Sequence, residues 1–170
     1  AKRLGAVIEA SDVRPAVKEQ VESLGAKFID VPYETDEERE AAQGVGGYAK
    51  PMPPSWLERQ KAEVAKRVAQ ADIVITTALI PGRPAPVLVS EEMVKTMKPG
   101  SVIVDLAVET GGNCPLSKPD QVVEAYGVKI VGYLNVPSRI AVDASALYAR
   151  NLVNFLTPLI DKEPKADRKS

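Results

Sequence analysis

Asp12 is the residue whose setting most suggests chemistry. It follows the apolar run Ala6 to Ser11 and precedes a helix-forming segment. A carboxylate at such a strand end can accept hydrogen bonds from the two hydroxyls of a ribose and repel a phosphate on its 2' oxygen. The same side chain can also cap a helix beginning near Val13, and spacing alone does not separate the two roles. Two loops form a second group. Ile80 to Pro86 and Glu109 to Pro115 each follow an apolar run and carry prolines or glycines, so they expose backbone donors and acceptors where a ligand would meet them. Asp105 and Glu109 form an acid pair beside the second loop, but no substrate geometry gives them a catalytic role. The chain has no histidine and one cysteine, Cys114. An imidazole base, a Ser-His pair, a His-ligated metal, an internal disulfide and a cysteine cluster are therefore excluded within it, and no residue is assigned as catalytic or metal-ligating.

The 170 residues are 45% hydrophobic with a net charge of -1. This is a globular composition with no electrostatic reason to bind nucleic acid or an anionic membrane. No apolar run has the length of a membrane span, and Ala1 to Gly5 does not read as a signal peptide.

The elements that must position these residues alternate. Ala1 to Leu4 reads as a last helical turn closed by Gly5, and Ala6 to Ser11 as a strand. Pro15 to Gly25 reads as a helix with Val17, Val21 and Leu24 facing inward, and Lys27 to Val31 as a second strand. Pro32 to Pro54 reads as irregular, with an acidic run and the cluster Gly44-Val45-Gly46-Gly47. Ser55 to Glu58 has the pattern of a capping box opening a helix to about Ala71. From Asp72 to Leu116 the pattern is strand, proline loop, short helix, strand, glycine loop. Ser117 to Tyr126 reads as a helix capped by Gly127, Val128 to Tyr133 as a strand, Asn135 to Arg139 as a loop, and Leu147 to Phe155 as an amphipathic helix. Residues 1–160 are thus expected to form one partial nucleotide-binding domain, and 161–170 a charged tail or linker.

Alternating strands and helices predict a doubly wound parallel sheet of Rossmann type. In that fold a G-x-G-x-x-G turn follows the first, central strand, and an acidic residue ends the second. Asp12 suits the acidic position, but no such strand and glycine fingerprint precede it. The expectation is an incomplete domain, belonging to a longer polypeptide whose N-terminal part holds the phosphate-binding glycines.

SDVR at 11–14, GGYAK at 46–50, TTALIPGRPAPVL at 76–88, MKPGSVIVDLAVETGGNCPLS at 97–117, NVPSR at 135–139 and NLVNFLTP at 151–158 resemble the NAD(H)-binding domain I, or alpha subunit, of proton-translocating NAD(P) transhydrogenase. The LIPG and MKPGSVIVD patterns are shared with alanine dehydrogenases, whereas TTAL, GGNCPLS and NVPSR favour transhydrogenase. The resemblance implies hydride transfer between NADH here and NADP⁺ on a separate domain, while a membrane domain moves protons. It also implies a place at the cytoplasmic face of that membrane partner, or the matrix face in a mitochondrion, and the large apolar sheet edges left without the central strand favour a homodimer or a partner chain. Asp12, Val13 and Arg14 match the segment holding the adenosine ribose. Gly47 and Tyr48 lie in what resembles the family's mobile loop. Gln60 and Leu79, with Thr77 and Ala78 beside Leu79, match further NAD contacts.

Transfer of hydride between two nicotinamide rings moves no proton at the reacting carbons, so positioning suffices, in keeping with a chain that lacks histidine. Two other readings stay open: an alanine dehydrogenase-like NAD-dependent oxidoreductase, which needs an acid or base, and a non-catalytic nucleotide-binding module.

Overall fold

The structure, a computed structural model, describes residues 1–14, 16–43 and 52–160. Pro15, the glycine cluster with Gly47 and Tyr48, and the charged tail lie outside the described residues.

Among the described residues, two sheets carry the fold. In the first, β1 (Glu9–Ala10) pairs in parallel with β2 (Lys27–Phe28), the two joined through α1 (Ala16–Ser23). The second has the order β3-β4-β6-β5. Here β3 (Ile73–Thr76), β4 (Val102–Asp105) and β6 (Val128–Val131) are parallel, and β5 (Val122–Ala125) is antiparallel to β6. Strands β1 and β3 do not pair with each other, and among the described residues each has a strand neighbour on one side only. That separation is the one expected of a 3-2-1-4-5-6 sheet whose central strand comes from elsewhere.

One helix serves both sheets. On α3 (Pro54–Val68), Arg67 forms an ion pair with Glu9 at 3.4 Å, and Gln60 reaches Ser11 beyond β1. The same helix packs Val64, Ala65 and Val68 into a core of Met93 and Val94 from α4 (Glu91–Thr96), Met97, Ile103, Val128 and Ile130. The register explains which sheet face this core uses: Val74, Ile103 and Ile130 align across three strands on one face. The opposite face is open at β3, where Ile73 and Ile75 remain 64% and 61% exposed. A second, smaller core of Val31, Ala41, Ala42, Met52 and Trp56 lies beyond β2, with Tyr33 stacked on Trp56.

The opening turn, Lys2–Leu4, ends as expected at Gly5 in a left-handed conformation, φ 83°. Several expected elements differ. Ser117 to Tyr126 is not a helix: Val122–Ala125 is strand β5, folded onto β6 through Tyr126 (φ 55°) and Gly127 (φ 76°). Two consecutive left-handed residues make the tight turn whose twist matches a hairpin, so Gly127 closes a hairpin and caps no helix. The acidic run is not irregular but forms α2 (Asp36–Gln43). Thr35 Oγ1 accepts the Glu38 amide at 3.2 Å, and Asp36, Glu37 and Glu38 crowd the first turn, where the helix dipole favours negative charge.

Ser55 makes no capping box. Helix α3 begins one residue earlier at Pro54, whose fixed φ suits a first helical position, and the helix ends at Val68. The Ser55 hydroxyl donates instead to Glu38 Oε1 at 3.0 Å. Residues Val136–Arg139 form a short helix, α5, rather than a loop, and Ala141–Leu156 forms α6. Leu24 lies past the end of α1 and is exposed, not inward. Helix α6 has the expected stripe, but Leu147, Tyr148, Leu152 and Phe155 are all exposed. No described helix is long and apolar enough to cross a membrane.

Candidate functional site

The segment after β1 is closed by its own side chains. Asp12 Oδ1 accepts the Arg14 amide at 2.8 Å and Arg14 Nε at 3.0 Å, while Oδ2 accepts Nη2 at 2.8 Å. Asp12 therefore ties the turn at Arg14. Helix α1 starts only at Ala16, so the alternative role of capping a helix near Val13 is not the one the side chain plays. Partial burial pulls the Asp12 carboxyl upward, and the hydrogen bonds and charge of Arg14 outweigh that, holding it below its ordinary value. Arg14 is raised in turn by the same hydrogen bonds. A carboxylate has about four acceptor positions. Arg14 occupies two on Oδ1 and one on Oδ2, leaving Oδ2 able to take a hydroxyl.

Gln60 joins this group, since its Nε2 donates to Ser11 Oγ at 3.4 Å from α3. Val13 is 41% exposed and presents an apolar surface beside the turn.

A second group follows β3. The β3–β4 ladder ends at Thr76 opposite Asp105, with the Leu106 amide donating to the Thr76 carbonyl at 3.0 Å. Beyond it, Thr77, Ala78 and Leu79 run on without a strand partner. Asn113 takes that place: its Oδ1 accepts the Ala78 amide at 3.0 Å, and its Nδ2 donates to the Ala78 carbonyl at 3.0 Å and the Pro86 carbonyl at 2.8 Å. The backbone of Asn113 accepts from the Leu88 and Val89 amides, and the Ala85 amide donates to Thr110. The proline loop and the glycine loop are thus fastened together. Thr77 and Leu79 flank the tethered Ala78 and are exposed, Leu79 by 58%.

Asp105 organises the glycine loop. Fully buried, it accepts from the Asn113 amide, the Cys114 amide and Ser117 Oγ on Oδ2, and from the Ala107 amide and Thr76 Oγ1 on Oδ1. Every lone pair is used, so Asp105 forms no acid pair with Glu109. Glu109 instead accepts the Asn135 amide at 3.3 Å, joining the loop after β4 to the one after β6. There Arg139 stands over the Tyr133 ring at 3.8 Å and pairs with Asp120. Cys114 is fully buried packing, and burial pushes its thiol up.

The expected residues therefore fall into two groups, Ser11 to Arg14 with Gln60 and Thr77 to Leu79 with Asn113. Each lies at the carboxyl end of a parallel strand, and α3 braces both sheets. Among the described residues no hydrogen bond or ion pair joins one group to the other. Gly47 and Tyr48 lie outside the described residues. A shallow cavity lined by Asp30, Glu34, Arg59 and Lys66, among others, opens beyond β2, but no expected site residue lines it. Sequence reasoning missed Asn113 as a site-forming residue. Its signal was present in the Gly-Gly-Asn run eight residues after a strand-terminal aspartate.

Parallel strands, alternating helices and ligand-accessible loops at the strand ends define an α/β domain of Rossmann type. The chain belongs to the family described as alanine dehydrogenase/PNT, C-terminal domain, whose model matches residues 1–170. It is 62% identical over 165 residues to an NAD(P) transhydrogenase alpha subunit polypeptide of Rhodospirillum rubrum, covering 97% of this chain and 42% of that one. Alanine dehydrogenase 1 of Staphylococcus aureus is 36% identical over 103 residues, 58% of this chain and 28% of that one. Among solved structures, the transhydrogenase from Sinorhizobium meliloti aligns with a TM-score of 0.68 at 52% identity, over 93% of this chain and 39% of that one. Identity and coverage thus place the chain on the transhydrogenase side of its family, as its motifs led us to expect. It spans less than half the length of the relatives it matches.

Proposed function

We propose that this chain is the adenosine-holding part of the NAD(H) site of an NAD(P) transhydrogenase. The observation that carries the reading is the partly exposed Asp12 carboxylate at the carboxyl end of β1, shaped by Arg14 and flanked by Gln60. In Rossmann-type domains that position meets the adenosine ribose. The similarity to transhydrogenase alpha subunits supports NAD(H) as the ligand.

In this reading Asp12 accepts a ribose hydroxyl on Oδ2, Val13 offers apolar surface to the nucleoside, and Arg14 keeps the carboxylate ionised and oriented. Thr77, Ala78 and Leu79 line the site from the second sheet. Gly47 and Tyr48 are further NAD(H)-binding residues, as the resemblance implies. The nicotinamide ring supplies the hydride. The residues of this chain bind and orient, and move no proton at the reacting carbons. The pyrophosphate turn and the first strand come from another region of the polypeptide. The NADP-binding domain and a proton-translocating membrane domain are the partners of a homodimer held at the cytoplasmic or matrix face. This segment alone does not turn over.

The test is an assay of the complete enzyme containing this chain. Hydride exchange between NADH and an NADP analogue, without alanine-dependent NAD reduction, is the expected result. Alanine-dependent reduction in its place would overturn the proposal and favour the alanine dehydrogenase reading.

A further inference from the structure

We infer that Asn113 is a positioning residue for the nucleotide site, setting the conformation of the Thr77 to Leu79 loop by standing in for a missing strand. The inference rests on the proposal that this loop contacts NAD(H). It goes further in assigning the loop's shape to one side chain.

A single amide side chain satisfies both backbone groups of Ala78, the N–H through Oδ1 and the carbonyl through Nδ2, each at 3.0 Å. A neighbouring strand would offer the same donor and acceptor. The remaining Nδ2 hydrogen goes to the Pro86 carbonyl at 2.8 Å, so one residue fixes both ends of the proline loop. All the polar atoms of Asn113 are engaged. Its amide donates to Asp105 Oδ2, and its carbonyl accepts from Leu88 and Val89. A flipped side chain would set its NH2 group against the Ala78 N–H and its oxygen against two carbonyls, so only one orientation is tolerated. Asn113 is fully buried and touches no solvent. It does not face the ligand. It holds Ala78 inward, and this turns Thr77 and Leu79 out on either side.

The chain of control runs from the buried Asp105, through the Asn113 backbone and side chain, to Ala78. Loosening it keeps every exposed ligand-facing group but scatters their positions, which weakens binding without touching the hydride step.

The experiment measures NADH affinity by fluorescence titration of the complete protein, as wild type, Asn113→Ala, Ser117→Ala and Val94→Ala. Asn113→Ala is expected to bind NADH about tenfold more weakly, the scale of one to two lost hydrogen bonds. Its KM for NADH should rise while kcat at saturation is kept. Ser117→Ala, which removes only one donor from Asp105, should shift affinity the same way by about twofold, on the order of a fraction of one hydrogen bond, and serves if Asn113→Ala does not fold. Val94→Ala opens a cavity in the core below α4 and lowers Tm, yet should bind NADH as wild type does. Wild-type NADH affinity in the folded Asn113→Ala variant would overturn the inference. So would an equal loss in Val94→Ala, which would show that affinity follows stability alone. If Asn113→Ala does not fold, unchanged affinity in Ser117→Ala overturns it. If wild type itself does not bind NADH, the functional reading fails and this inference falls with it.

Discussion

Asp105 Oδ2 accepts the Asn113 amide at 2.8 Å, and this bond connects the end of β4 to the loop that holds Ala78. The same oxygen takes the Cys114 amide and the Ser117 hydroxyl, so one buried carboxylate satisfies donors that would otherwise face a dry interior. Removing it strands them. Asp105→Ala is expected to destabilise the protein by about 3 kcal/mol, the scale of several buried donors left unpaired. Urea denaturation followed by circular dichroism measures this. A loss of less than about 1 kcal/mol, the worth of a single ordinary hydrogen bond, would contradict the role given to Asp105.

Gly111 and Gly112 separate backbone strain from crowding. Both have positive φ, 104° and 82°, but a Cβ on Gly111 would meet nothing within 4 Å, whereas one on Gly112 would stand 2.8 Å from Asp105 Oδ2. Each substitution to alanine carries conformational strain of about 1 kcal/mol. Only Gly112→Ala must also displace the buried carboxylate. We expect a visibly larger drop in Tm for Gly112→Ala than for Gly111→Ala, measured by differential scanning calorimetry. Equal drops would mean that the Asp105 contacts relax freely.

Glu38 gives the fold a dependence on acid. Its side chain is fully buried, accepting from the Glu34 amide, the Ser55 hydroxyl and Arg59, which also pairs with Glu34. Burial raises the pKa of this carboxyl, and the Glu34 amide, the Arg59 guanidinium and the Ser55 hydroxyl together outweigh it, leaving the group below its ordinary value of 4.5. A carboxyl whose pKa is lower folded than unfolded contributes stability that is fully present above the unfolded value. That contribution is lost as pH falls through the depressed one. Wild-type Tm should therefore fall on the acid side of 4.5, and Glu38→Gln should lower Tm at neutral pH while flattening the acid limb. A parallel acid limb in the variant would remove Glu38 as a source of the dependence.

Local signals with one interpretation were readable from the sequence. Gly5 closing a turn, the β3 and β4 runs, and a short helix between them all follow from patterns that nothing distant contests. The absent pairing of β1 with β3 was also legible, because strand order and the place of Asp12 together leave a central strand unaccounted for. What was illegible depended on competition. Gly127 suits a helix cap and a hairpin turn equally well, and pairing of β5 with β6 decided for the hairpin. Ser55 lost its expected capping role to Pro54 and gained a partner, Glu38, seventeen residues away. The T-D-E-E run at 35–38 did announce a helix start, but the whole stretch from Pro32 to Pro54 read as irregular. At the site, Gln60, which the resemblance alone singled out, donates to Ser11 beside Asp12. Asn113 was overlooked because its partners, Ala78 and Pro86, lie far along the chain.

Asp12 and Arg14 together make the central claim testable through cofactor preference. In wild type the guanidinium is engaged by Asp12 through two side-chain hydrogen bonds, and the carboxylate disfavours a 2'-phosphate. Removing Asp12 releases Arg14, a group suited to phosphate. The most direct measurement is titration of NADH and NADPH into the complete protein and its Asp12→Ala variant, read by nucleotide fluorescence. NADH affinity should fall roughly tenfold, as expected for a lost charged hydrogen bond, and the preference for NADH over NADPH should shrink or reverse. Unchanged NADH affinity with an unchanged preference would contradict the assignment of this strand end to the adenosine ribose.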